Sequence, residues 1–182
     1  PSSTCIAGGE HAVTVTAATN NPAITVRGDM TIAANAVYTK GSGTTTFAKG
    51  GTQTLTDNTA GQDFGAVAVA VNGTNTMLNL GSSVTMTSLT INASQTFSTN
   101  GAITLTLLGT GTPLTVTGTV ATSTGTVNYV GNGAATIAAA TYHHLGLKPA
   151  GAATYTLAAG TVTVGGNLTV GDGTNAATAQ VD

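Results

Sequence analysis

Short runs in which apolar residues alternate with threonine recur along the chain and predict β-strands. Residues 162–170 hold two such runs, Val-Thr-Val and Leu-Thr-Val, joined by a Gly-Gly-Asn turn. A period of two points one set of side chains into a core and the other into water, and β-branched threonine with its polar tip suits the wet face. Residues 24–32 repeat the phrase, and residues 84–91 repeat it one residue shorter. We therefore expect a repeat protein, with residues 162–170 forming two successive sides of one coil rather than a self-paired hairpin.

The spacing of these strands favours a solenoid. A β-sandwich also has closely spaced strands, so local spacing alone does not separate the two folds. A repeat over about 80 residues separates them, because residues 43–55 reappear as 125–137 and residues 64–69 as 142–147. We predict an all-β fold, a single-chain parallel β-solenoid (β-helix) of about eight rungs near 20 residues each, with a β-sandwich as the alternative. The first strands of the rungs are expected to begin near Ile24, Gly43, Phe64, Val84, Ile103, Gly125, Tyr142 and Val162.

Three segments are expected from this pattern. The solenoid repeat domain covers residues 23–171. Residues 1–22 match none of the repeats and are predicted to form an N-terminal cap or an inter-subunit arm, because terminal units of a solenoid must cover an open end. Residues 172–182 are predicted to be a C-terminal tail.

Composition narrows the possible partners. Charged residues make up 5% of the chain and its net charge is -2, so no cationic stripe exists to bind nucleic acid. A hydrophobic share of 41% argues against disorder, and the absence of a long apolar run argues against membrane insertion. The lone Cys5 excludes an internal disulfide framework and leaves a packed thiol or a bond between chains. Hydroxyl-rich, charge-poor β-proteins are typically exported, which predicts an extracellular or cell-surface location.

No catalytic, metal or cofactor site is predicted, and the chain is not expected to be an enzyme. Asp57 and Asp63 flank one loop that Lys49 could approach, but the matching loop of the second copy, residues 138–141, carries no charge. Polysaccharide-cleaving enzymes need clustered acids, so these two carboxylates are not predicted to be catalytic.

Two further motifs are predicted to be plain surface features. His143 and His144 are adjacent, and neighbours on a regular strand point to opposite faces and cannot share one metal ion. Asp172 lies in a single Gly-Asp-Gly turn, whereas calcium-binding nonapeptide repeats carry their motif many times.

The successive phrases G-T-x-x-[FY], [QA]-T-[LI], [FY]-x-x-[LV]-x-[LV] and V-T-V-x-G-N-L-T-V run through residues 24–170. In this the chain resembles the repeat regions of large bacterial surface and secreted proteins, of the adhesin, autotransporter-passenger and filamentous-haemagglutinin kinds. The resemblance implies a β-helix and a role at the cell surface.

The open ends of a parallel solenoid carry the functional prediction. Each end is a row of unpaired backbone groups and apolar side chains that must be capped or paired. We expect a structural subunit of an extracellular filament or surface fibre that assembles head-to-tail with itself. The alternatives are an adhesin segment of a larger surface protein, which would contact surface glycans or other cells, a phage tail-fibre segment, and an ice-binding solenoid. The candidate inter-subunit residues are Cys5, Ile6, Val13, Val15, Val162, Val164, Leu168 and Val170, and the candidate glycosylation sites are Asn72, Asn92 and Asn167.

Overall fold

The computed structural model describes residues 13–59, 61–70, 74–174 and 177–180, and these form short strands and corners without any helix. Threonine, valine and leucine dominate the strands because β-branched and aliphatic side chains fit a pleated, half-buried surface. The strands are β1 (Val13–Thr16), β2 (Ile24–Val26), β3 (Met30–Ile32), β4 (Ala36–Thr39), β5 (Thr44–Phe47), β6 (Gly51–Asp57), β7 (Ala66–Val69), β8 (Thr76–Leu80), β9 (Val84–Met86), β10 (Ser88–Ile91), β11 (Thr96–Ser98), β12 (Thr104–Leu107), β13 (Leu114–Val116), β14 (Thr119–Ala121), β15 (Thr126–Tyr129), β16 (Ala135–Ile137), β17 (Thr141–Tyr142), β18 (His144–Leu147), β19 (Ala153–Leu157), β20 (Thr163–Val164), β21 (Leu168–Val170) and β22 (Ala177–Gln180).

Each turn of the chain contributes one strand to each of three sides, and all strand pairs in the described ranges are parallel. The first side stacks β2, β5, β7, β10 and β13 and continues through a bridge from Gly111 to Ala135 into β16, β19 and β22. The second side stacks β3, β6, β8, β11 and β14, with β17 and β20 following. The third side begins with β1 and β4 and continues as β9, β12, β15, β18 and β21. Residues 62–64 link its two parts, since Asp63 bridges to Thr85 of β9.

The stack confirms the predicted parallel β-solenoid, and it has about 7 turns. The sequence predicts about eight rungs of nearly constant length. The pairing instead shows variable turns, because Thr126 pairs with His144, 18 residues later, whereas Gly51 pairs with Thr76, 25 residues later. Corners absorb this variation, since loops at the surface tolerate insertions that strands do not. The side-chain columns therefore stay in register although the turns differ in length.

The three copies of the repeated phrase lie at three different corners. Residues 24–32 form β2 and β3 and pass from the first side to the second. Residues 84–91 form β9 and β10 and pass from the third side to the first. Residues 162–170 form β20 and β21 and pass from the second side to the third. Two successive sides of a coil are thus confirmed for residues 162–170, but sequence equivalence does not mean the same side.

The core is a continuous column of inward side chains. Leu89 on the first side, for example, is fully buried between Val67 and Leu114 of the neighbouring strands, while Thr90 on the same strand points outward. Each such aliphatic side chain stabilises the stack by about 1.5–3 kcal/mol through removal from water. No single turn can bury its own apolar residues, so each turn depends on its neighbours.

Aromatic residues fill the interior where the sides meet. The rings of Tyr38 and Phe64 stack with centroids 5.7 Å apart. Further along, the hydroxyls of Tyr129 and Tyr142 lie 3.2 Å apart, and Tyr142 also donates to the carbonyl of Ala138 at 2.9 Å. These bonds satisfy the polar tips of rings that are otherwise enclosed by apolar groups.

Candidate functional site

The third side ends in β21, whose inward-pointing residues are exposed. Leu168 pairs with Leu145 and Val170 with Leu147 in a parallel ladder, so both lie in the core columns. Leu145 and Leu147 are buried, whereas Leu168 is 56% exposed and Val170 is 47% exposed. Within the described residues β21 is the last strand of its sheet. This end of the stack therefore presents two core positions to solvent.

The opposite end of the same side shows the same arrangement. Val13 and Val15 of β1 pair with Ala36 and Tyr38 of β4, and Tyr38 is buried, so both valines occupy inward positions. Val13 is 36% exposed and Val15 is 50% exposed. Among the described residues, both ends of the third side therefore carry an exposed pair of apolar residues spaced two apart.

The predicted inter-subunit residues thus divide between the two ends. Val13, Val15, Leu168 and Val170 are exposed. Val162 and Val164, just before β20 and within it, are half-buried against the core. Cys5 and Ile6 lie outside the described residues. The sequence-based list misses Ile24, Val26 and Met30, which are half-buried inward residues on the first strands of the other two sides. The sequence does mark these three residues as inward positions, because they are apolar positions in the first copy of the repeated phrase.

Two of the three predicted glycosylation positions, Asn92 and Asn167, lie at corners. Asn92 is exposed and follows β10, and its backbone amide donates to Val69. Asn167 is exposed directly before β21, and its backbone amide donates to Nδ1 of His144 at 2.8 Å. Asn72 lies outside the described residues. Both side chains are accessible to a glycosylating enzyme, and glycosylation at Asn92 and Asn167 stays a prediction.

The histidine pair occupies a corner and not a regular strand. His143 separates β17 from β18, and the two rings meet edge to face with centroids 4.3 Å apart. Opposite faces apply to neighbours on a regular strand, whereas at this corner the backbone turns between the two residues and brings their rings together. In the described part of the chain, however, no three His, Cys, Asp or Glu side chains converge in a way that would hold a metal ion.

Asp57 organises the loop that follows β6. Its Oδ1 accepts hydrogen bonds from the amide and hydroxyl of Thr59, and its Oδ2 accepts from the amides of Gly61 and Gln62. Burial raises the pKa of Asp57, but these hydrogen bonds outweigh burial and hold the pKa below its ordinary value. A carboxylate held in this way keeps its charge and is committed to the loop.

Asp63 pairs with a different lysine from the one proposed from sequence. Lys40 donates to Oδ2 of Asp63 and to the hydroxyl of Thr87, which ties neighbouring turns together. The ammonium group of Lys49 instead donates a hydrogen bond to the backbone carbonyl of Thr52. The expected approach of Lys49 to the two carboxylates is therefore wrong, because register places Lys40 beside Asp63. Asp172 accepts a hydrogen bond from the backbone amide of Thr174.

No helix of membrane-spanning length and hydropathy occurs in the described ranges. Comparison of the chain with protein-family models, with curated proteins and with solved structures gives no match.

Proposed function

We propose that this chain is a structural unit of an extracellular filament or surface fibre whose copies stack head-to-tail through the two ends of the solenoid. The observation that carries the proposal is the exposed apolar pair at each end of the third side. Leu168 and Val170 lie at one end, and Val13 and Val15 lie at the other. The occupant proposed for each end is a second copy of the same chain.

The two ends are complementary in direction as well as in chemistry. Because strands on the third side are parallel throughout, β1 of a second copy can follow β21 without any change in direction. Leu168 would then lie beside Val13, and Val170 beside Val15, so both core columns would continue across the junction. The unpaired backbone groups of the two edge strands would bond to each other. A contact between two different ends does not close on itself and generates a filament.

The energetics favour a concentration-dependent polymer. The four aliphatic side chains are 36–56% exposed, so covering each contributes about half of the roughly 1.5–3 kcal/mol of full burial, or about 3–6 kcal/mol in total. Association costs about 4–15 kcal/mol in lost rigid-body freedom. The third side alone therefore offsets at most the low end of this cost, and burial of Ile24, Met30 and Val164 on the other two sides is needed to favour assembly.

The extracellular setting rests on composition and on the resemblance to adhesin, autotransporter-passenger and filamentous-haemagglutinin repeats. A charged share of 5% with 40 threonines gives a surface that is wetted by hydroxyl groups. In an adhesin segment of a larger surface protein, neighbouring parts of that protein would cover the ends in place of a second copy.

Electron microscopy and sedimentation velocity of the purified chain test the proposal. We expect uniform fibres at high concentration, with an axial repeat of roughly 34 Å for about 7 turns at about 4.8 Å each. Replacing both Leu168 and Val170 with lysine should abolish the fibres. The matched control is Leu108→Lys, because Leu108 is 39% exposed but lies at a corner far from either end. A chain that stays monomeric at high concentration contradicts self-stacking and favours the adhesin segment.

A further inference from the structure

A polar groove lies on the outer surface of the third side, where a glycine interrupts a column of larger side chains. Gly146 of β18 pairs with Asn128 of β15 and with Thr169 of β21, so all three occupy one outward column. A cavity of about 200 Å³ lies beside this column, and Gly146 is part of its lining. We call this cavity the Gly146 groove. The side chains around it include Thr126, Asn128, His144, Lys148 and Thr169.

The amide of Asn128 is held in an unusual position beside this glycine. A Cβ placed on Gly146 would lie 2.0 Å from Oδ1 of Asn128, so the carbonyl end of the amide fills the space that any other residue would need. Oδ1 is buried and has no hydrogen-bond partner. A buried polar atom without a partner is rare and calls for a functional or structural reason. Asn128 also lines the groove, and its side-chain amide nitrogen makes no hydrogen bond to another described residue.

Lys148 supplies an uncommitted positive charge. Lys40 pairs with Asp63, and Lys49 donates to a backbone carbonyl, but the ammonium group of Lys148 has no hydrogen bond or ion pair within the described ranges. The residues that line the groove include no carboxylate. The local field is therefore positive on a chain whose net charge is -2.

His144 adds a donor with a fixed orientation. Its Nδ1 accepts a hydrogen bond from the backbone amide of Asn167 at 2.8 Å. The N–H group of the neutral ring is therefore at Nε2. The groove thus combines one cation, an imidazole N–H donor, an amide with free donors and the hydroxyls of Thr126 and Thr169.

We propose that the Gly146 groove binds a carboxylate flanked by hydroxyl groups, which is the chemistry of a uronic acid unit in an acidic saccharide. Lys148 pairs with the carboxylate, and the Asn128 amide and the threonine hydroxyls bond to the ring hydroxyls. The volume is smaller than the roughly 300–1,000 Å³ of sites for drug-sized ligands, so it suits one sugar residue. The groove faces outward and stays open when the ends are covered, so this proposal does not depend on head-to-tail stacking.

Titration followed by NMR or calorimetry tests the site with three probes: D-glucuronate, D-glucose and acetate. We expect glucuronate to bind with a dissociation constant on the order of 1 mM, and glucose and acetate to bind at least about tenfold more weakly, because each offers only part of the chemistry. Protein without glycans is required, because a glycan on Asn167 would occupy the same groove. Equal binding of glucuronate and acetate would show that only charge is recognised and would overturn the proposal.

Variants assign the binding to these residues. Lys148→Gln should weaken glucuronate binding about tenfold or more, as expected for loss of one charge-assisted bond. Gly146→Ala should abolish binding because its Cβ displaces the Asn128 amide into the groove. Lys49→Gln is the matched control, since Lys49 lies away from the groove, and it should bind as the unaltered chain does. If Lys148→Gln keeps its β-signal in circular dichroism and still binds normally, the groove is not the site.

Discussion

Leu168 lies directly beside Leu145 in the parallel ladder of β21 and β18, yet Leu168 is 56% exposed and Leu145 is 2% exposed. Both residues are leucines in the same inward column of the third side. They differ only in whether a following strand covers them. Coverage by a following strand, and not residue type, therefore decides how much each leucine stabilises the fold.

Alanine at these two positions should have very different effects on the isolated chain. Leu145→Ala removes a buried side chain and leaves a cavity, so the free energy of unfolding should fall by about 2–5 kcal/mol. Leu168→Ala should lower it by less than about 1 kcal/mol, because the side chain is already largely in water. Urea denaturation of dilute protein measures both values. Equal losses would mean that Leu168 is covered in the isolated chain.

Removal of the hydroxyl of Tyr142 should destabilise the second half of the core. Tyr142→Phe takes a partner from Tyr129 and leaves the carbonyl of Ala138 without its donor, at a cost of about 1–3 kcal/mol. Tyr38→Phe is the control, because the hydroxyl of Tyr38 makes only a long contact of 3.4 Å with Thr45. We expect its loss to stay below about 1 kcal/mol in the same urea experiment. A larger loss for Tyr38→Phe would contradict the assignment.

Alkaline pH should destabilise the fold. Burial raises the pKa of Tyr129 to about 12, although bonds from Tyr142 and Ala138 oppose that rise, and burial also raises the pKa values of Tyr142 and Tyr155. Above about pH 10 the unfolded chain loses tyrosine protons that the folded chain keeps, so stability falls as pH rises. Tyr129 alone accounts for about 3 kcal/mol between pH 10 and 12.

Urea midpoints measured from pH 9 to 12 test this dependence. Tyr129→Phe should show a shallower fall than the unaltered chain, because it lacks one of the titrating groups. A stability that does not change across this range would show that the three tyrosines titrate equally in the folded and unfolded chains.

Asp57 should stabilise the fold at neutral pH and lose this effect in acid. Its folded pKa is below the ordinary value of 3.8, so the unfolded chain takes up a proton first as pH falls. The contribution is therefore complete above about pH 5 and disappears as pH falls through the folded pKa. Asp57→Asn places an amide N–H group opposite the donors of Gly61 and Gln62, and it should cost about 2–3 kcal/mol at pH 7.

Urea denaturation at pH 7 and in acid measures the effect of Asp57→Asn, and Asp29→Asn is the matched control. Asp29 accepts a single bond from the amide of Thr54 at an exposed position. Its replacement should cost less than about 1 kcal/mol. If the two variants lose stability equally, the bonds to the loop after Asp57 contribute little.

The alternation of apolar residues with threonine predicts the fold well. Leu105 and Leu107 are fully buried and Thr104 and Thr106 point outward, because the period of two is set by strand geometry alone. The same alternation marks Leu168 and Val170 as core positions. It needs no knowledge of which strands are neighbours.

Contacts between turns are not predictable in this way. The proposal of Lys49 near Asp63 fails because corner lengths decide which turn meets which, and corners carry little pattern. The four hydrogen bonds to Asp57 depend on the path of a loop, and the Gly146 groove depends on register between three strands.

The placement of one repeated phrase at three different corners has a consequence for how such a chain can lengthen. A strand–corner–strand unit fits any corner, so gain or loss of a single strand with its corner would move all later strands to the neighbouring side while their inward residues remained inward. Growth by thirds of a turn is therefore compatible with one unchanged interior. A strand with its outward residues can therefore move to another side and form new surfaces and grooves with its neighbours, while the core stays the same.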